Sequence, residues 1–147
     1  MISKPHYSHN GVRDHLTHCT APPLFYAHVD RMIAGSLRRN IPFSLIAFTL
    51  SDEATDENVI ALAHSITISM RQEDLCGRLG INQLMVALTG DLKAGAELCK
   101  RVQENFFHPL SMHVVQFERE ESSLDLFYRL DTVYERQIES ESRARKT

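Results

Sequence analysis

Apolar positions along the chain keep two different rhythms. Phe25, Val29, Met32, Ile33 and Leu37 recur at the spacing of one helical face after Pro22 and Pro23, which predicts a helix over about residues 23–39. Pro42 then opens Phe43-Ser-Leu-Ile-Ala-Phe-Thr-Leu50, a nearly unbroken apolar run of strand length, expected to be a central strand buried on both faces. Acidic residues between Asp52 and Glu57 lead into Val59, Leu62, Ala63, Ile66 and Met70, one face of a second helix that ends near Arg71. Two short strands, about 74–79 and 83–89, flank Gly80-Ile81-Asn82-Gln83 and predict a tight hairpin in which Gly80 or Asn82 takes a positive φ. After Gly90 and Asp91 punctuate the chain, Leu92, Ala96, Cys99, Val102 and Phe106 give a third amphipathic helix before Pro109. Met112 to Glu118 reads as a last strand, and Ser122 as the cap of a helix carrying Leu124, Phe127, Tyr128, Tyr134 and Ile138.

The order is therefore helix, then β-α-β-β-α-β, then helix. The inner unit is the split βαβ arrangement of ferredoxin-like sheets: an α/β chain, more closely an α+β sandwich, with a mostly antiparallel central sheet flanked by helices. Residues 1–20, polar and rich in histidine, read as a flexible arm, 21–140 as a single domain, and 141–147 as a charged tail.

Composition narrows the functions. With 147 residues, 43% hydrophobic and 24% charged, the chain has the make-up of one ordinary globular domain. A net charge of -3 supplies no basic field for a nucleic-acid polymer. Cys19, Cys76 and Cys99 are odd in number and lack metal-type spacing, which suits buried thiols in a reducing, cytoplasmic compartment. No apolar run approaches the roughly 20 residues of a membrane span, and Met1-Ile-Ser-Lys-Pro lacks the apolar core of a signal peptide.

The block from Arg71 to Leu88 carries a more specific signal. Arg71 and Asp74 form Arg-x-x-Asp, five residues follow, and then come Gly80, Ile81, Asn82, Gln83 and Leu84 before an apolar strand. This resembles the GGDEF, or diguanylate cyclase, family, whose pattern is Arg-x-x-Asp, five residues, Gly-Gly-Asp/Glu-Glu-Phe and a strand. Asp14-His-Leu16-Thr17, followed eight residues later by Phe25, is similar to the family's opening Asp-x-Leu-Thr motif. The family's late Asp-x-Ala-Leu-Tyr-x-Ala-Lys helix is echoed by Tyr134 alone, since Asp131 is one residue too close and Gln137 stands where the lysine would.

What the resemblance implies divides by position. Cyclase chemistry needs Mg²⁺ on hard carboxylate oxygens beside the triphosphate. At the places where the family has those acids, this chain has Asn82 and Gln83 in the hairpin and Thr49 and Ser51 at the end of the first strand. Amides and hydroxyls offer oxygen without negative charge, and Ile81 puts a branched side chain where glycine lets backbone approach a ligand. The expectation is a degenerate domain without catalysis and without a metal or other cofactor. Asn82 and Gln83 keep the shape of the acids, and the same loop also suits any β-turn.

Arg71 and Asp74, by contrast, keep the register of the family's inhibitory site for cyclic di-GMP. A guanidinium can donate two hydrogen bonds to a guanine edge or phosphate, and a carboxylate can accept from guanine N1-H and N2-H. Arg78 or Arg101 is a candidate for the additional guanidinium such sites recruit. The plainer alternative is a solvated Arg-Asp pair with Arg78 and Arg101 as surface charges. The resemblance thus implies a bacterial cyclic di-GMP receptor that relays its signal to a protein controlling exopolysaccharide, attachment or motility. A ligand-free interaction or homodimerisation module is the alternative, and a residual cyclase the third reading. His6, His9, His15 and His18 with Cys19 match no strong zinc pattern. Tyr26, Phe106, Phe107, Phe127 and Tyr128 read as core packing. Neither a Gly-x-Ser-x-Gly elbow nor a P-loop is present.

Overall fold

A computed structural model describes residues 4–132. Its elements are α1 (Pro22–Arg39), β1 (Phe43–Leu50), α2 (Asp56–Ser69), β2 (Leu75–Gly80), β3 (Gln83–Thr89), α3 (Leu92–Asn105) and β4 (Leu110–Gln116), followed by a helix α4 over residues 123–132. Tyr134, Gln137, Ile138 and the charged tail at 141–147 lie outside the described residues.

Local chemistry sets the ends. Pro occupies the first positions of α1, and Asn40 closes that helix in the left-handed region at φ 53°. Thr55 and Asn58 form a reciprocal capping box on α2, Asp91 accepts the Ala94 N–H at the start of α3, and Ser122 and Asp125 exchange hydrogen bonds at the start of α4.

The sheet order is β2-β3-β1-β4, and every neighbouring pair is antiparallel. β1, expected to be central, pairs with β3 on one side and β4 on the other, and its alternate residues feed two cores. Ile46, Phe48 and Leu50 pack with Val59, Leu62 and Ile66 of α2 and Leu98 and Val102 of α3. Phe43, Leu45 and Ala47 pack with Phe25, Val29 and Ile33 of α1 and Leu126 and Leu130 of α4. A strand with both faces covered must be apolar at every position, which is why its sequence shows a run instead of an alternation.

Three expectations need correction. β4 begins at Leu110, two residues before the expected Met112, because the antiparallel register sets Leu110 opposite Leu50. The β2-β3 hairpin turns through Ile81 and Asn82 without positive φ at Gly80 or Asn82; a register shift between Arg78 and Gly80 takes up the geometry instead. Among the aromatic residues, Phe106 is buried, but Phe107, Tyr26 and Tyr128 are exposed.

Residues 4–20, set aside above as a flexible arm, lie against β2. Thr20 donates its N–H to the Cys76 carbonyl at 3.1 Å and accepts the Arg78 N–H at 3.0 Å, a short parallel bridge along the outer edge of that strand. Pro5, Asp14, Cys19 and Thr20 are buried. Gly77 permits the close approach of α1 to the same strand, for a Cβ there would meet Phe25 Cδ2 at 2.4 Å.

Candidate functional site

The sequence-selected arginines and acids separate into three environments. Arg78 sits in the first, and it is wholly buried. Its Nη1 donates to both carboxylate oxygens of Asp14 at 3.2 Å and to the His6 carbonyl, while Nη2 reaches the Ile81 carbonyl at 2.8 Å. The Tyr7 ring lies 4.9 Å from the guanidinium carbon. Asp14 Oδ2 also accepts from the Thr17 N–H and hydroxyl at 2.8 and 2.7 Å. A buried charge is tolerable only when paired and hydrogen-bonded, and this pair has both. Arg78 is thus neither a solvated charge nor a guanidinium available to a ligand. It ties the N-terminal segment to the hairpin, giving Asp14 and Thr17 a structural purpose that spacing alone did not disclose.

The second environment is the end of α2. Arg71 is exposed, and its backbone N–H donates to Asp74 Oδ2 at 3.0 Å. Asp74 Oδ1 accepts the Thr89 N–H of β3 at 3.3 Å, so the carboxylate holds the start of β2 against the end of β3. Burial raises the Asp74 pKa above its usual value, opposed by the hydrogen bonds from Arg71 and Thr89. Each Asp74 oxygen retains a further lone pair. Arg101, exposed on α3, donates through Nη2 to the Ser69 carbonyl at 3.1 Å, which places its guanidinium at the C-terminal end of α2, two residues before Arg71. Carbonyls at a helix C-terminus favour cations, so two arginines can converge there. The fold therefore brings Arg101 to the end of α2, beside the segment that carries Arg71 and Asp74, and leaves Arg78 out. A 230 Å³ depression between α1 and the ends of β1 and β3 adjoins this corner, lined in part by Arg31, Arg39, Glu73 and Thr89.

The third environment holds the positions of the family's metal acids. Thr49 lies directly across from Gln83 in the β1-β3 ladder, and the Leu50 N–H donates to the Asn82 carbonyl at 2.8 Å. Thr49, Asn82 and Gln83 therefore come together, with Ser51 following Leu50 at the end of β1. Thr49 Oγ1 and Asn82 Oδ1 are buried with no hydrogen-bond partner among the described residues. Thr49 and Ser51 line an open 550 Å³ depression with Asp52, Pro109, Leu110 and Ser111. Ile81, at the hairpin tip, is partly exposed, and Leu84 is buried in the core under α2 and α3. Among the described residues, no group of three or more His, Cys, Asp or Glu side chains could hold a metal ion. No described helix is long and apolar enough to cross a membrane.

No protein-family model and no curated protein matches the chain. Solved structures do. A microbial GGDEF domain studied for its interaction with cyclic di-GMP is similar at a TM-score of 0.77 and 16% identity, over 88% of this chain and 92% of that one. The GGDEF domain of DgcB from Caulobacter crescentus, in complex with c-di-GMP, is similar at a TM-score of 0.73 and 14% identity, over 86% of this chain and 90% of that one. The diguanylate cyclase SiaD from Pseudomonas aeruginosa, in complex with its activator SiaC, is similar at a TM-score of 0.73 and 17% identity, over 82% of this chain. This chain spans 55% of the SiaD chain. Likeness at this level of identity speaks for architecture, and the architecture of this chain is that of the GGDEF domain.

Proposed function

We propose that this domain is a cytoplasmic receptor for cyclic di-GMP that does not synthesise it, with Arg71 and Arg101 gripping the ligand and Asp74 reading a guanine edge. The observation that carries the reading is the docking of Arg101 on the Ser69 carbonyl at the end of α2, two residues from the exposed Arg71, beside a carboxylate fixed by two backbone N–H groups. Fixing Asp74 in advance lowers the ordering cost of binding. Two guanidiniums suit a doubly phosphorylated ligand, since each can donate a planar pair of hydrogen bonds to phosphate or to the O6 and N7 edge of guanine. Two of the similar domains are described with cyclic di-GMP, and SiaD with a protein activator, which supports a relay from ligand to protein partner. The lack of catalysis follows from hydroxyls and amides at Thr49, Ser51, Asn82 and Gln83, where a triphosphate-bound Mg²⁺ would need carboxylates. The relay would act on exopolysaccharide, attachment or motility through a change in conformation or assembly that the ligand favours.

Isothermal titration of cyclic di-GMP into the wild type should give a Kd on the order of micromolar, and Arg71→Ala should weaken it at least about tenfold, with circular dichroism confirming both proteins folded. No heat from folded wild type would overturn the receptor. Incubation with GTP and Mg²⁺ should yield no cyclic product; a product abolished by changing Asn82 or Gln83 would restore the enzyme. A ligand-free interaction module is favoured by one observation of its own, the exposure of Leu124 and Tyr128 one turn apart on α4. Light scattering that finds a dimer, together with silent titrations, would decide for it.

A further inference from the structure

Cys19 and Cys76 are 57 residues apart in sequence, yet their sulfurs lie 3.7 Å apart in the core between the sheet and α2 and α3. Their proximity is imposed by backbone. The parallel bridge between Thr20 and Gly77, closed by hydrogen bonds from Thr20 N–H to the Cys76 carbonyl and from Arg78 N–H to the Thr20 carbonyl, sets Cys19 and Cys76 opposite one another on the same side. Paired strands run about 4.7–4.9 Å apart, inside the roughly 4.4–6.8 Å Cα separation that disulfides occupy. All three cysteines are free thiols, and Cys99 stands apart on α3.

The two thiols are also chemically unequal. The hydrogen bond with Cys76, then the neighbouring Thr17 side chain and the Arg78 guanidinium, lower the Cys19 pKa to about 7 against the effects of burial and of the Asp14 carboxylate. Cys76 is pushed well above the ordinary thiol value by that same hydrogen bond and by burial. One sulfur is thus the nucleophile and the other the resolving thiol.

We propose that Cys19 and Cys76 form a reversible disulfide in response to a hydroperoxide, fastening the N-terminal segment to the outer edge of β2. The Cys19 thiolate attacks the terminal peroxide oxygen, the O–O bond breaks, and the sulfur becomes a sulfenic acid, while the expelled oxyanion takes up the proton that Cys19 had released and leaves as water from hydrogen peroxide or as an alcohol from an organic hydroperoxide. The Cys76 sulfur then attacks Cys19, the S–S bond forms, the S–O bond breaks, and hydroxide leaves with the Cys76 proton as water. Two thiols are oxidised and one hydroperoxide is reduced. The strap would stand two residues from Asp74 and two from Arg78, at the strand that joins the buried pair to the exposed corner.

The test treats the full wild-type chain with hydrogen peroxide, blocks remaining thiols with N-ethylmaleimide and maps the peptides by mass spectrometry. A Cys19–Cys76 peptide lacking two hydrogens, with Cys99 still alkylated, is expected. Its formation should raise Tm by roughly 5–10 °C, a shift reversed by dithiothreitol, because the closed loop is long. Cys99→Ser, which leaves the pair untouched, should form the same crosslink. The proposal falls if peroxide modifies Cys99 while Cys19 and Cys76 stay alkylatable, if Cys19 accumulates as sulfinic acid without a crosslink, or if the crosslink disappears in Cys99→Ser.

Discussion

Arg71, just before β2, and Arg78, within it, belong to one motif block, but they live under opposite physical rules. Arg78 is sealed between the N-terminal segment and the hairpin, with Asp14 and two carbonyls on its fork. Arg71 is exposed, and it meets Asp74 through its backbone N–H and carbonyl. A guanidinium deprived of water must be matched by the protein, and one left in water can be matched by a ligand. Identical residue types seven positions apart therefore answer different needs, and burial, which spacing cannot reveal, assigns them.

The most forceful way to break this contrast is Arg78→Met. It strands the Asp14 carboxylate in the core, and we expect a loss of about 3–5 kcal/mol in urea unfolding, whereas Arg71→Ala should stay within about 0.5 kcal/mol of wild type. Pairing Arg78→Met with Asp14→Asn should cost less than the two changes summed, because the second removes the uncompensated charge. Equal, small losses for both arginines would erase the distinction.

Gly77→Ala asks whether the middle of β2 is as tightly held as Arg78 implies. The added methyl would press on the Phe25 ring, itself fully buried, and a loss of about 1–3 kcal/mol is expected by calorimetry. A neutral substitution would mean that α1 yields where the contacts say it cannot.

The gentlest test concerns Asp74 and runs through pH. Its folded pKa lies above the ordinary 3.8, mainly from burial, so the native state holds the proton more tightly than the unfolded chain does. The stability from this group is present in full below 3.8 and declines as pH rises from there through the folded pKa. Asp74→Asn should flatten that decline in urea midpoints measured across a pH series. An unchanged slope would show that the carboxylate is no more desolvated than in the unfolded chain.

Much of the architecture was legible because the relevant forces are local or periodic. The run from Phe43 to Leu50 announced a strand covered on both faces, and Ser122 announced a helix start. The presence of a hairpin at Gly80 to Gln83 was legible for the same reason, although its register shift between Arg78 and Gly80 was not. Chemistry that depends on distant segments was not. Nothing in the order of residues tells that Asp14 meets Arg78, 64 positions on, or that Cys19 meets Cys76. The residues 4–20 looked like a polar arm because their apolar content is low, yet backbone hydrogen bonds and one buried ion pair hold them in place. Arg101 was nameable as a candidate, but its position beside Ser69 follows from how α3 packs on α2.

The reach of Arg78 has a consequence for the chain while it is still folding. The β2-β3 hairpin can form early, since its strands are adjacent in sequence, but the Arg78–Asp14 pair must wait for a loop of 64 residues to close. Until then β2 is a sheet edge with unpaired backbone groups, the kind of edge that recruits a strand from a neighbouring molecule and seeds aggregation. A bare guanidinium on that edge keeps it hydrated and resists such recruitment, so the side chain that later anchors the N-terminal segment first serves as its own chain's safeguard against aggregation.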